Sequence, residues 1–198
     1  MTERHIPFEA EKKISSAFSI SQCVKNGLDY GDWHAWEASE VKGLFGIPDH
    51  IVVLWRKDNR GRLTIRTVAL EVKLVKWQRA LIQAYRYAAF ADYSLVVLDR
   101  AFVHRALASL DDFKRANIGL LSVDRQGHVE WHHRPRYQRP YSEINRRSLN
   151  TAIKEHVFGN TDARSGGGST IKWSAGTTRK NEGLRNTKNA GTKYAVKS

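Results

Sequence analysis

Ile47-Pro48-Asp49-His50-Ile51-Val52-Val53-Leu54-Trp55, the polar cluster Lys57-Asp58-Asn59-Arg60-Gly61, and the run Leu63 to Lys73, which ends Val68-Ala69-Leu70-Glu71-Val72-Lys73, together decide the fold. The first and last segments are rich in β-branched and apolar residues, and the Gly-containing cluster between them is turn chemistry, so the stretch predicts an antiparallel hairpin. The second strand is apolar almost without interruption up to Glu71, as a central strand covered on both faces should be. Side chains alternate along a strand, so Glu71 and Lys73 share one face and Val72 takes the other.

Working outward, a helix is predicted from Leu74 to Phe90. Trp77, Leu81, Ala84 and Ala88 form its core stripe, and Arg79, Gln83 and Tyr87 a polar stripe at i, i+4, i+8. Ser94 to Leu98 is short and β-branched, hence a buried strand. A helix over Arg100 to Arg115 and a hairpin, Gly119 to Val123 and His128 to Trp131 around Arg125-Gln126-Gly127, follow. Upstream, apolar spacing from Pro7 to Lys25 predicts an amphipathic helix stopped by Asn26-Gly27. Leu28 to Gly46 has no clean period and reads as irregular, with a short strand or helical turn near Glu37 to Val41. The order α, β, β, α, β, α, β, β predicts an α/β fold with a central mixed sheet flanked by helices. Residues 1–133 form the expected domain and 134–198 a basic extension. Within it a helix is expected over Ser142 to Val157, and the stretch after about residue 159, rich in Gly, Ser, Thr, Asn and Lys, is expected to be flexible.

Length and charge narrow the class. With 198 residues, 41% of them apolar, the chain has enough material for one ordinary core. The net charge of +13 is lopsided: residues 1–130 carry 19 Lys and Arg against 16 Asp and Glu, whereas 131–198 carry 14 against 4. A basic extension of that density fits a phosphate-backbone partner, since each cation near a phosphate releases a counterion. The single Cys23 excludes an internal disulfide and a cysteine-built zinc site, which fits a reducing compartment. The charged N-terminus, MTERHIPFEAEKK, precedes no apolar run long enough for a signal segment or a membrane span, so a soluble, cytoplasmic protein is expected.

If the first hairpin strand brings Asp49 to the end of the second, two carboxylates and an ammonium converge. Such carboxylates repel, and a hard divalent cation such as Mg²⁺ or Mn²⁺ is the usual reason to hold them together. Pro48-Asp49, the hairpin, and Glu71-Val72-Lys73 resemble the signature of the PD-(D/E)xK (restriction-endonuclease-like) nuclease superfamily, over roughly residues 35–100. Gln83 and Tyr87, in Gln83-Ala-Tyr-Arg-Tyr87, resemble the extra helix motif of its RecB-like and phage exonuclease branch. The resemblance implies a restriction-endonuclease-like core and a Mg²⁺- or Mn²⁺-dependent deoxyribonuclease. In it Asp49 and Glu71 ligate the metal, Lys73 positions the attacking hydroxide or stabilises the scissile phosphate, and Gln83 and Tyr87 assist. It also implies a further acidic ligand upstream of Asp49, with Glu40 the first choice and Glu37, Glu9 and Glu11 as alternatives. Structure- or end-directed cutting of DNA follows from the helix motif, and homodimers are common among relatives that cut both strands.

Other constellations carry less. His128, His132 and His133 lack a Cys or a spaced carboxylate and lead into Arg134-Pro135-Arg136, so they read as a hairpin end or a DNA-facing patch. Gly166-Gly167-Gly168 lacks the Lys-Ser/Thr of a phosphate loop. The rival reading is a nucleic-acid-binding module that keeps the fold and the basic arm but has lost cleavage.

Overall fold

The computed structural model of the chain describes residues 19–39 and 46–153. In order they form α1 (Ile20–Gly27), β1 (His34–Ser39), β2 (His50–Lys57), β3 (Leu63–Lys73), α2 (Trp77–Tyr87), β4 (Tyr93–Asp99), α3 (His104–Leu107), α4 (Leu110–Ala116), β5 (Gly119–Val123), β6 (Val129–His133) and α5 (Glu143–Ile153). The strands make one six-stranded mixed sheet in the order β1-β2-β3-β4-β5-β6. β1, β2 and β3 are an antiparallel meander, β4 and β5 join β3 in parallel, and β6 returns antiparallel. This is the α/β architecture with a mixed sheet that the sequence predicts.

Alternation along the strands splits the core in two. Ile51, Val53, Ala69, Val96, Leu98 and Leu120 project to one face, where they pack with Ala80 and Ala84 of α2, Ala106 of α3, Phe113 of α4, and Leu149 and Ile153 of α5. Val52, Leu54, Val68, Leu70, Val72 and Val97 project to the other, which α1 covers with Ile20 and Val24 beside Trp33. Four of the five described helices therefore lie on one face. A parallel strand needs a crossover, and both crossovers return on the same side of the sheet.

Several boundaries differ from expectation for physical reasons. Ser19, with an extended backbone and a side chain that accepts from the amide of Gln22, caps α1, so this helix begins at Ile20; the part of the expected helix from Pro7 to Phe18 lies outside the described residues. The stretch expected to be irregular, with a short strand or helical turn near Glu37 to Val41, contains β1, which starts earlier, at His34, and whose inward and outward residues are too mixed in polarity to show a period. The helix expected over Arg100–Arg115 is broken at Ala108-Ser109 into α3 and α4, and Asn117, at φ 55°, ends α4 in the left-handed conformation. The Arg125-Gln126-Gly127 hairpin is present, with Gly127 at φ 85°. Beyond it, α5 is packed on the core. The Arg146 guanidinium reaches Asp92 Oδ2 at 3.0 Å and donates to the Phe90 carbonyl at 2.9 Å, while Asp92 Oδ2 accepts from the Thr67 amide at 2.7 Å. Asp92 is 2% exposed, so this pairing satisfies a carboxylate that burial would otherwise penalise heavily. Residues 134–153 thus pack on the same core as the residues before them; the segment expected to be flexible after residue 159 lies outside the described residues.

Candidate active site

The hairpin brings together the residues its sequence singles out. Continuing the β2–β3 register, in which His50 pairs with Leu70, sets Asp49 opposite Glu71. Asp49 precedes β2, and its Oδ2 accepts the Val72 amide at 2.7 Å, so the side chain does for β3 what a further strand residue would have done. Glu71 and Lys73 lie on the face covered by α2, as strand alternation requires.

The Lys73 ammonium is the hub. It lies 2.9 Å from Glu71 Oε1 and 3.5 Å from Asp49 Oδ2, and it donates to the Val72 carbonyl at 3.0 Å. Glu71 is 1% exposed, Lys73 17% and Asp49 35%, so the three groups form a gradient from the protein interior toward solvent. The second Glu71 oxygen, Oε2, accepts from the Tyr87 hydroxyl, which also lies 3.0 Å from the Ile47 carbonyl. Gly46, at φ 93°, makes room for that ring, since a Cβ there would stand 2.9 Å from Tyr87 Cε1.

Burial and the neighbouring Asp49 charge push the Glu71 carboxyl above the usual carboxylate range, against the pull of Lys73 and Tyr87. Burial and the Glu71 charge raise Tyr87 strongly, so its hydroxyl stays protonated and a donor. Among the described residues two carboxylates face one ammonium, which leaves an excess negative charge in a half-dry site. The donors are hard oxygens on one face, and a divalent cation such as Mg²⁺ fits both the charge and the donor type. Asp49 and Glu71 would hold it. Among the described residues no group of three or more His, Cys, Asp or Glu has the geometry of a metal site, so the remaining donors would be water and substrate oxygens or residues outside the described set.

The expected members fall differently. Tyr87, expected at the site from a polar stripe with Arg79 and Gln83, reaches Glu71, but its ring is 1% exposed and points inward. The buried carboxylate supplies the partner its hydroxyl needs. Gln83 is half-buried one turn before Tyr87, and its Oε1 is buried without a hydrogen-bond partner, a vacant acceptor on the same helix. Glu37 is not a ligand of this site. It pairs in register with Val52, which projects to the α1 face, and its carboxylate accepts from the Ser21 amide at 3.2 Å and lies 3.6 Å from His50 Nδ1. Glu40, Glu9 and Glu11 lie outside the described residues. His132 is held by Ser122 Oγ at 2.8 Å, and burial keeps both His132 and His133 below the usual histidine range, so they end a hairpin as neutral rings. Burial likewise raises the Cys23 thiol to about 11, which leaves it inert.

Comparison of the chain with protein-family models, curated proteins and solved structures found no match. No helix among the described residues is long and apolar enough to cross a membrane.

Proposed function

We propose that the chain is a divalent-metal-dependent nuclease with a restriction-endonuclease-like core, cleaving DNA phosphodiester bonds in the cytoplasm. The observation that carries this reading is the meeting of Asp49, Glu71 and Lys73 at one sheet end, with an excess negative charge that nothing described there neutralises. Asp49 and Glu71 hold Mg²⁺ or Mn²⁺, which when bound supplies an acidified water and charge stabilisation at the phosphate. Lys73 orients the attacking oxygen and meets the developing negative charge. Tyr87 fixes the Glu71 carboxylate by donating to one oxygen, leaving the other toward Lys73 and the cation. Gln83 offers its vacant acceptor to a donor in the site. The basic residues beyond Trp131 hold the phosphate backbone, and a homodimer would present two such sites to the two strands of a duplex.

The test is incubation with labelled single-stranded, duplex and branched DNA in Mg²⁺, Mn²⁺ or EDTA, alongside Asp49→Ala. Cleavage that needs the metal and vanishes in the variant supports the reading. Absence of cleavage on all three substrates, with binding retained, would replace it with a non-cleaving binding module.

A further inference from the structure

Residues 134–142 join β6 to α5, and the first eight of them, Arg134-Pro135-Arg136-Tyr137-Gln138-Arg139-Pro140-Tyr141, form a strap. The strap is seated by its backbone. Asn117 Oδ1 accepts the Arg136 amide at 2.8 Å, Asn117 Nδ2 donates to the Arg136 carbonyl at 2.9 Å, the Gln138 amide donates to Asp92 O at 3.2 Å, and the Tyr141 amide to Ala88 O at 3.3 Å. Pro135 is buried against Gly119, where a Cβ would come within 2.8 Å of its Cδ. Two prolines restrict what freedom remains.

The outward side chains are of two kinds. Arg134, Arg136 and Arg139 are exposed, and none is paired with a carboxylate among the described residues; Arg60, Arg79, Arg86, Arg105 and Arg125 are likewise exposed without such a pair, but no three of them fall within six residues of chain. Tyr137, 50% exposed, stands between Arg136 and Arg139, and Tyr141, 64% exposed, follows two residues after Arg139. The Tyr137 ring is held from one side by the Arg66 guanidinium, 4.6 Å from its centroid, and edge-on by Tyr93 at 6.0 to 6.1 Å spacing within the Tyr30–Tyr93–Tyr137 chain of rings. The packed side of Tyr137 is accounted for by Arg66 and Tyr93, but the half of that ring and the larger part of Tyr141 left facing water contribute nothing to the core. Cations spaced along a fixed track with rings between them are what a polynucleotide with unpaired bases requires, because phosphates meet the arginines and bases stack on the rings.

We infer that residues 134–141 are a binding track for single-stranded nucleic acid, with Tyr137 and Tyr141 as base-stacking platforms. The track runs past Asp92 and Tyr93 at the start of β4, whereas Glu71 and Lys73 stand at the far end of the parallel β3, so it is separate from the carboxylate site. The inference rests on the partner being a nucleic acid but not on cleavage. A duplex buries its base faces and would use only the arginines.

The test is a binding titration of the full chain in EDTA with three probes: a thymidine oligomer, a uridine oligomer and a blunt duplex. Tyr141→Ala, and Tyr137→Leu to keep the packing on Arg66, should each weaken single-strand binding about tenfold, with duplex binding changed less than about twofold. Replacing Arg134, Arg136 and Arg139 together by Ala should make the slope of log affinity against log salt shallower by about two for single strands. A larger loss on thymidine than on uridine oligomers assigns the track to DNA, and the reverse assigns it to RNA. Single-strand affinity unchanged in both tyrosine variants, with normal melting, overturns the inference, as does an equal loss on duplex and single strand. Neither result touches the nuclease reading, which stands or falls on metal-dependent cleavage by a chain with an intact track.

Discussion

Replacing Lys73 by Met keeps the volume of the stem and removes the one positive charge described among Asp49 and Glu71. At an effective dielectric of about 20, the 2.9 Å contact with Glu71 corresponds to about 6 kcal/mol of gross attraction. Desolvation offsets part of that, and the Asp49 contact, to a carboxylate 35% exposed, adds little after solvent screening. Stripping one partner from a buried pair costs about 3–5 kcal/mol, because the other charge remains buried and unpaired. For a chain of this size that lowers the melting temperature by roughly 10 °C. The cost depends on pH in a direction the site fixes. Glu71 already holds its proton above the ordinary value of 4.5 because of burial and Asp49, and losing the ammonium raises it further. A carboxyl with a raised folded pKa stabilises the fold below its unfolded value, and that contribution is lost as pH rises through the folded value. The deficit of Lys73→Met relative to the parent should therefore be large at neutral pH and shrink as the solution is acidified and Glu71 protonates. Adding Glu71→Gln should recover most of it at neutral pH. Mg²⁺ should raise the melting temperature of the single variant, since the cation replaces the missing positive charge. Thermal melts across a pH series, with and without Mg²⁺, measure all of this. A deficit that is the same at acid and neutral pH, or below about 1 kcal/mol, would refute the claim that Lys73 offsets a buried negative charge.

Three further outcomes are expected. Gly46→Ala places a Cβ 2.9 Å from Tyr87 Cε1 and forces φ 93° on a residue with a side chain, so it should lower stability by about 1–2 kcal/mol and cleavage together, read by melting and by product formation. Arg146→Met leaves Asp92, 2% exposed, without its cation and should cost about 3–5 kcal/mol in a denaturant titration; a loss below about 1 kcal/mol would mean that α5 is held by Leu149 and Ile153 alone. Truncation after Gly159 removes 8 basic and 2 acidic residues, and if half of that net charge meets phosphates the salt slope for duplex DNA should become shallower by about 2.7 without loss of cooperative melting. Equal slopes for the full and shortened chains would make the tail a bystander.

The hairpin that brings Asp49 to Glu71 was legible because two signals agreed: apolar β-branched runs on both sides of a Gly-containing turn, and alternation that puts Glu71 and Lys73 on one face. What escaped depended on partners remote in sequence. β1 shows no period because its Glu37 is directed to the amide of Ser21 and its Trp36 packs at the rim of the opposite core, so polarity does not track burial there. Without β1 the side on which Glu37 falls could not be read. Tyr87 is placed near the site by its spacing from Gln83, but the burial of its ring was not legible on a stripe shared with Arg79, because its hydroxyl is satisfied by a carboxylate sixteen residues upstream. Asp92 gave no sign of being buried, since its cation is supplied 54 residues later. The break between α3 and α4 is a local Ala108-Ser109 turn that apolar spacing alone bridges.

The strands stand in the sheet in the order in which they are synthesised, with no strand inserted between two earlier ones. A chain emerging from the ribosome can therefore extend its sheet one edge at a time, and Asp49, Glu71 and Lys73 can meet as soon as β3 is out, long before the strap exists. Asp92 sets a checkpoint on that vectorial growth. It enters the interior with the start of β4, where the Thr67 amide and hydroxyl donate to it, but its guanidinium partner is on α5, so until Arg146 follows its charge has hydrogen bonds and no counter-charge. The neutralising cation for Asp92 thus comes from the last described helix of the chain, after every strand of the sheet.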